Sequence, residues 1–583
     1  SKERLGQVSK TTLLSPGILT RENDQSFLTQ QPPAIGAAIV GPTARGLVNI
    51  PTLVTSFSEF ESKFGKQALS GSNYYTYFTS ITAYNYFQNG GETLLVTRVA
   101  SGSFTAATSS LIPTGSGGPT TGLSPFELKT PSEGTIMNST STEGDGGILP
   151  SGSKDNLRWE ISGVNRSLGT FTLLIRRGDD NTNNKVVLET WPNLSLDPTQ
   201  PNYIARAIGD QTQTVVTDGD GTTYIQVSGS YPNKSQFVTV SAVNYTTPNF
   251  FDNNGTAKAS LTGSIPAASS GSFGGATGTP FNGREAKFYQ NISNLDTQGL
   301  VADNYTTALA LLANKDEYAY NTMVVPGLYN TAYSSTITTL INTATDRQDH
   351  LLVIDPTAYG ATVTSATTEA ATRNSSYASM YWPWIQTPDP YSGNNVWVPA
   401  STLVPSVFAY NDSTSETWFA PAGFNRGALA TAIQAERKLT QGQRDDLYDG
   451  KVNPIASFPN TGLVVFGQKT LQTRASALDR VNVRRLLITL KNYISEVSRN
   501  LLFEQNTLAT RNQFLAQVNP YLESVQQRQG LYAFKVVMDD SNNTADVIDR
   551  NQLVGQIYLQ PTKTAEFIYL DFNILPTGAT FPG

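Results

Sequence analysis

Cysteine is absent from the 583 residues and histidine occurs once. The first absence excludes disulfides, thiolate metal sites and a cysteine nucleophile. The second leaves His350 as the only histidine for a Ser-His-Asp arrangement, and no G-x-S-x-G accompanies it. Long apolar runs are missing as well. No stretch approaches the ~20 apolar residues that a membrane helix needs, and the opening SKERLGQVSKTTLLSPG lacks the apolar core of a secretory signal. These gaps lead to the expectation of a soluble protein that matures in a cytoplasm. Charge of one sign is also lacking. With 40 basic and 46 acidic residues the net charge is −6, so no global field draws the chain to nucleic acid or anionic lipid.

Turn formers are plentiful, with 47 glycines and 31 prolines beside many Ser, Thr and Asn residues, which favours a β-rich build. An apolar content of 38% suffices for ordinary cores, and the length allows about three or four domains. Residues 34–100 alternate in an α/β manner. AIGAAIVG (34–41) and ETLLVTRVA (92–100) are expected strands; SFSEFESKFG (56–65) and ITAYNYFQNGG (81–91) are expected helices, the first capped by serine and closed by Gly65. Over 101–290 the texture becomes polar and loop-rich. Short alternating strands appear there, among them RWEISG and TYIQVSG, and FTLLIRRGDDNTNNKVVLETW forms an expected hairpin. NTMVVPG (321–327) and HLLVIDP (350–356), each ending at proline, return the chain to βαβ text. The interval 101–290 therefore has the character of an inserted β domain.

The final third carries the strongest periodicity. Val483, Leu486, Leu487, Leu490, Ile494, Val497 and Leu501 form one stripe of a helix over 480–502. A second helical stretch, 511–529, contains Pro520, which predicts two short helices in series. Three strands follow: LYAFKVVMD, LVGQIYLQP and EFIYLDFNIL (566–575). The last has apolar side chains on both faces and so expects cover on both.

Candidate chemistry is sparse. His350 precedes an apolar strand and is expected at a strand start near a surface. Asp355 stands at the carboxyl end of a strand, where α/β enzymes bind ligands, but a structural Asp-Pro turn is the favoured reading. TDGDGTT (217–223) lacks the acidic positions of a calcium loop and is expected to be a hairpin turn. GSGG and GSFGG lack the lysine and the strand–helix frame of a phosphate loop. One charge feature stands out: 480–535 holds eight basic side chains against three acidic ones. It is either a set of solvated helix faces or a surface for an acidic partner.

Four stretches together resemble the tail sheath proteins of contractile-tailed bacteriophages, closest to the T-even type. They are LLSPGILTRE with AIGAAIVGPTARGLVNIPTLVTSFSEFESKFG; NLSLDPTQPNYIARAIGD (193–210); WFAPAGFNRG (418–427) with QRDDLYDGKVNPI; and RVNVRRLLITLKNYI (480–494) with NNTADVIDRNQLVGQIYLQPTKTAEFIYLDF. Apart from the NLSLDP phrase, the 101–290 insert departs from the family pattern.

The resemblance implies an α+β multidomain subunit. An N-terminal arm (1–30) precedes the first part of an α/β core (31–100), and a β-rich outer insert (101–290) separates it from the second part (291–425). A C-terminal domain (426–583) faces an inner tube and ends in an exchanged strand. It further implies a structural subunit without cofactor that polymerises helically, contracts, and drives the tube through a bacterial envelope. Implied partners are copies of itself, the tail tube, baseplate and terminator proteins, with no direct contact to nucleic acid or membrane. The implied place is a virion tail assembled in the cytoplasm of the infected bacterium. Leu13, Leu14 and Ile18 map onto one exchanged arm, and Phe567, Ile568, Tyr569, Leu570 and Phe572 onto the other. Arg511 and Arg528 are the expected tube contacts, whereas Arg484 and Arg485 are candidates for packing within the domain. Competing readings are the sheath of a tail-derived bacterial injection particle, a secreted β-rich adhesin or surface-layer protein, and an α/β enzyme using Asp355.

Overall fold

The computed structural model describes residues 35–281, 292–580 and 582. The arm expected at 1–30, with Leu13, Leu14 and Ile18, lies outside them. Ala37–Gly41 is a strand buried at all five positions, which requires cover on both faces. Its side chains divide accordingly: Ala37 and Ile39 enter one apolar cluster, Ala38 and Val40 another. The strand lies within an eight-stranded sheet ordered Thr52–Val54, Leu94–Arg98, Ala37–Gly41, Thr322–Tyr329, Leu351–Asp355, Ala378–Trp382, Val452–Phe458, Gly462–Val465. The inner pairings are parallel and the two edge pairings antiparallel. Helices cover both faces: Phe78–Gln88 and Val404–Thr414 supply one cluster, while Thr306–Leu312 and Ser334–Arg347 supply the other.

Local chemistry explains several boundaries. Helix Phe57–Phe64 starts where the Ser56 hydroxyl accepts the Glu59 N–H at 3.1 Å, and stops at Gly65, whose φ of 75° favours glycine. The strand expected to end at Pro326 instead runs to Tyr329. Its ladder with Leu351–Asp355 is interrupted between Val324 and Tyr329, because Pro326 has no N–H to offer. The expected core boundary at 425 also moves. Val452–Phe458 and Gly462–Val465 belong to the core sheet, so the C-terminal unit begins near Val481.

The insert is a seven-stranded antiparallel sheet ordered Val187–Ser195, Thr170–Arg177, Leu157–Asn165, Ser269–Gly274, Ala106–Ser109, Phe126–Glu133, Thr239–Val243. Its last strand to be made, Ser269–Gly274, sits in the middle, so the sheet cannot close until the chain is about to return to the core. The helix Ile204–Ile208, within the NLSLDP stretch, packs on both edge strands. Phe126 and Phe171 stack at 5.4 Å inside. Two buried arginines share one buried carboxylate: Arg176 Nε reaches Asp180 Oδ2 at 2.7 Å and Arg158 Nη1 reaches Asp180 Oδ1 at 3.2 Å. The TDGDGTT stretch forms the turn between Thr212–Thr217 and Thr223–Ser228.

In the C-terminal unit, Val481–Arg499 packs Leu486 and Leu490 against Phe514, Val518, Leu522 and Val525 of Leu508–Gln527. That second element is one continuous helix with Pro520 inside, not two in series. An interior proline costs about 3 kcal/mol, and burial of four large side chains along one face, each worth about 1.5–3 kcal/mol, outweighs it. The WFAPAGFNRG block joins this unit to the core. Trp418 Nε1 donates to the Arg528 carbonyl at 2.9 Å, and Asn482 Nδ2 donates to the Trp418 carbonyl at 3.3 Å. Within the block Gly423 (φ 85°) opens the short turn Gly423–Arg426, as a structural role requires.

Candidate assembly interface

Leu531–Val537 and Gln556–Pro561 form an antiparallel hairpin, pairing Phe534 with Leu559 and Val536 with Ile557. Those four side chains are partly buried against the two-helix cluster. A register shift between Leu531 and Ala533 brings Leu531 to the same covered face. Tyr532 and Tyr558 stay exposed. Among the described residues neither outer edge of this two-stranded sheet has a strand partner. A bare edge is a row of main-chain donors and acceptors open to another strand.

Beyond the hairpin the chain is held for a few residues and then released. The Thr562 N–H donates to the Gly530 carbonyl at 3.2 Å. Gln468 Nε2 donates to Thr564 Oγ1 at 2.8 Å. The Glu566 carboxylate accepts from Tyr448 OH at 2.5 Å and Arg480 Nε at 2.8 Å. Burial, and then the neighbouring Glu566, push the Tyr448 phenol well above its ordinary pKa, so it remains a donor. From Phe567 to Ile574 the large apolar side chains stand in solvent: Phe567 is 69% exposed, Tyr569 92% and Ile574 96%, with Ile568, Leu570 and Phe572 alike.

The strand expected over 566–575 is therefore not formed; no regular pairing occurs from Thr562 to Pro576. The sequence has strand character, but a strand exists only against a partner's backbone, and the described residues present none to it.

The basic stretch 480–535 is mostly consumed internally. Arg484 donates to Ser376 Oγ at 2.6 Å and lies over the Tyr377 ring at 4.0 Å. Arg485 pairs with Asp412 at 2.6 Å over the Phe408 ring. Arg511, an expected tube contact, is buried and holds Asn506 Oδ1 (2.9 Å) and Asp540 Oδ1 (2.6 Å). Its guanidinium is a tie within its own domain. Arg528 remains partly open, paired with Glu416 at 2.9 Å and set over Trp418.

Two exposed apolar features escaped the sequence reading. Between the long helices, Leu502, Phe503 and Leu508 project into solvent, and Phe503 takes a φ of 67° that is uncommon for an aromatic residue. Phe424, Phe458 and Phe466 cluster at 4.9–5.8 Å with Arg444 over two of the rings. Neither follows a period, since each is assembled from loop residues or from separate segments.

The candidate titratable groups are structural. Asp355 is buried and accepts from Ser401 N (3.0 Å) and Ser401 Oγ (2.5 Å). Burial raises its pKa to about 7 against the pull of those bonds. His350, expected near a surface, is buried beside Tyr320 with Nδ1 at 2.9 Å from Asp349; burial lowers its pKa. It caps a core strand rather than facing solvent, because the strand it precedes is itself covered on both faces. Among the described residues no group of three His, Cys, Asp or Glu side chains is placed to hold a metal, and no helix is long and apolar enough to cross a membrane.

What this surface displays is main-chain edge and apolar side chains, the materials of a protein–protein joint. Residues 298–471 match the phage tail sheath protein central domain, and residues 473–575 match the phage tail sheath C-terminal domain. Over these two matched stretches the chain is similar to contractile tail sheath proteins. The tail sheath protein of Vibrio phage KVP40 is 42% identical over 193 residues, and that of Enterobacteria phage T4 is 39% identical over 193. Each alignment covers 33% of this chain and 29% of the relative. A sheath tail protein of Listeria innocua shares the fold with a TM-score of 0.51 at 12% identity, over 91% of this chain and 96% of that one.

Proposed function

We propose that the chain is a structural subunit of a contractile phage tail sheath, polymerising helically around an inner tube and contracting to drive that tube through a bacterial envelope. It works as a lattice element and not as a catalyst. Its place is the virion tail, assembled in the host cytoplasm, with tube, baseplate and terminator proteins as partners. The observation that carries this reading is an exposed apolar strand sequence, 567–575, following a hairpin whose two edges are bare among the described residues. The described residues thus offer a strand without a partner and a sheet that is incomplete. Exchange between copies satisfies both. An added strand with ~5–8 main-chain hydrogen bonds at ~0.5–1.5 kcal/mol each gives several kcal/mol per joint. Repeated along a polymer, such joints hold subunits together while their bodies rotate as rigid units, and the energy comes from better burial in the contracted state. The tube contact, reduced by the burial of Arg511, rests on Arg528. A secreted adhesin is not favoured, since the matched domains are those of tail sheaths.

Electron microscopy tests the proposal. The purified full chain forms hollow helical tubes, whereas a chain lacking residues 567–583 stays folded and monomeric. Normal tubes from the shortened chain would reject strand exchange.

A further inference from the structure

The exchanged segment follows the C-terminal hairpin in sequence, yet its root is not fastened there. Residues 562–566 leave the hairpin and meet the core. Tyr448 lies on helix Gln441–Asp449, Gln468 follows the last core strand, and Arg480 stands at the start of Val481–Arg499. Both Glu566 oxygens are filled: Oε1 by Tyr448 OH (2.5 Å), and Oε2 by Arg480 Nε (2.8 Å) with Gln468 Nε2 at 3.5 Å.

The receiving groups are positioned without Glu566. Arg480 also pairs with Asp479 at 3.1 Å. Lys469 sits 4.2 Å over the Tyr448 ring and donates to the Tyr448 carbonyl at 2.9 Å. Gln468 is buried and is further tied to the arm through Thr564. The Glu566 side chain is 19% exposed, whereas its neighbour Phe567 is 69% exposed. Restraint ends within one peptide unit.

We infer that Glu566 is a pin that fastens the root of the exchanged arm to its own core domain, so that the arm pivots between residues 566 and 567. The inference rests on the strand-exchange reading for its consequence, though not for its geometry. With the pin closed, the direction of the arm follows the core sheet, and load from a neighbour passes to the core through a charge-assisted pair rather than to the two-stranded hairpin. With the pin open and Thr562 and Thr564 still held, the two residues 565–566 would add up to about 7 Å of slack. The arm would search a larger volume, and its effective concentration at a neighbour's edge would fall.

The cysteine-free chain allows a clean test. Spin labels are placed on the full chain through Ile568→Cys and Asp445→Cys, with and without Glu566→Ala or Tyr448→Phe. The distance distribution in the unassembled protein is narrow in the parent, at least twice as wide with Glu566→Ala, and intermediate with Tyr448→Phe and with Glu566→Gln, which keeps the acceptor but not the charge. In the unlabelled chain Glu566→Ala raises the critical concentration for tube formation about tenfold, with an unchanged melting temperature. An unchanged distance width overturns the pin, whatever happens in assembly. An unchanged critical concentration, in a preparation where deletion of 567–583 abolishes tubes, overturns the pivot. If that deletion leaves tubes intact, it is strand exchange that fails, a separate result.

Discussion

Two apolar stretches of this molecule have much the same composition and opposite fates. LLVID, at Leu351–Asp355, lies between parallel neighbours and is buried at every position. FIYLDF, at 567–572, is as rich in strand formers, yet its large side chains are exposed and it pairs with no strand among the described residues. The difference lies not in the residues but in what the rest of the chain brings beside them. Leu351–Asp355 receives Thr322–Tyr329 on one side and Ala378–Trp382 on the other, each delivered by a covering helix. Segment 567–572 follows an antiparallel hairpin whose outer edges are bare among the described residues, and residues 562–566 lead from that hairpin to the core. An intramolecular strand contributes to the stability of a subunit; an unpaired one contributes only to an assembly.

The comparison breaks most visibly under a buried charge. Val353→Asp would destabilise the subunit by more than about 4 kcal/mol, since an unpaired carboxylate would lie within the sheet. Ile568→Asp would leave the melting temperature unchanged while abolishing tubes. Urea denaturation of the unassembled chain beside electron microscopy separates the two. If Ile568→Asp lowered subunit stability by a similar amount, segment 567–572 would be a hidden part of its own fold.

A second contrast sets the insert against the arm. Both use carboxylate–arginine contacts, but Asp180 serves two arginines that are fully buried. Asp180→Ala would leave Arg158 only Glu143 and Arg176 only Glu160 as counter-charges and cost about 1–3 kcal/mol, seen as early unfolding of the insert in limited proteolysis between residues 106 and 274. An insert as resistant as the parent would show that the cluster adds no stability.

The most gradual effect concerns Asp355 in the core. Its folded pKa is raised to about 7 by burial, above the ordinary carboxyl value. Between pH 4 and 7 the native state therefore holds a proton that the unfolded chain releases. Stability falls as pH rises through that window, by at most about 1.4 kcal/mol per unit, and levels off above it. Asp355→Asn, which preserves a bond to Ser401, flattens this slope in pH-resolved thermal melts. A slope unaltered by the substitution would assign the dependence to other groups.

Much of this architecture was legible in local text. Ser56 and Gly65 bracket a helix as their chemistry requires, and the 3–4 spacing from Val483 to Leu490 marks the face that packs on Phe514 and Leu522. The opposite-face partition of Ala37, Ile39 and Ala38, Val40 follows from an unbroken apolar strand in α/β surroundings. Illegible were matters of partnership. Nothing near Pro520 indicates that packing on a neighbouring helix would keep its helix unbroken. The stretch KVNPIASF does not say that it pairs with Ala378–Trp382 rather than with later strands. Arg511 reads as surface charge until Asp540 and Asn506 fold over it. The Glu566 pin joins residues up to 118 positions apart, a distance no local pattern records.

The sequence by itself determined the classes of element, the inserted layout, the absence of thiol chemistry and the apolar, strand-forming character of 567–572, because periodicity, capping and composition act over a few residues. Only the tertiary structure decided which strands found partners, which arginines were spent inside and where the arm comes free. Those outcomes depend on which backbone edges and charges meet across long stretches of chain, and pairing energy exists only once both sides are in place.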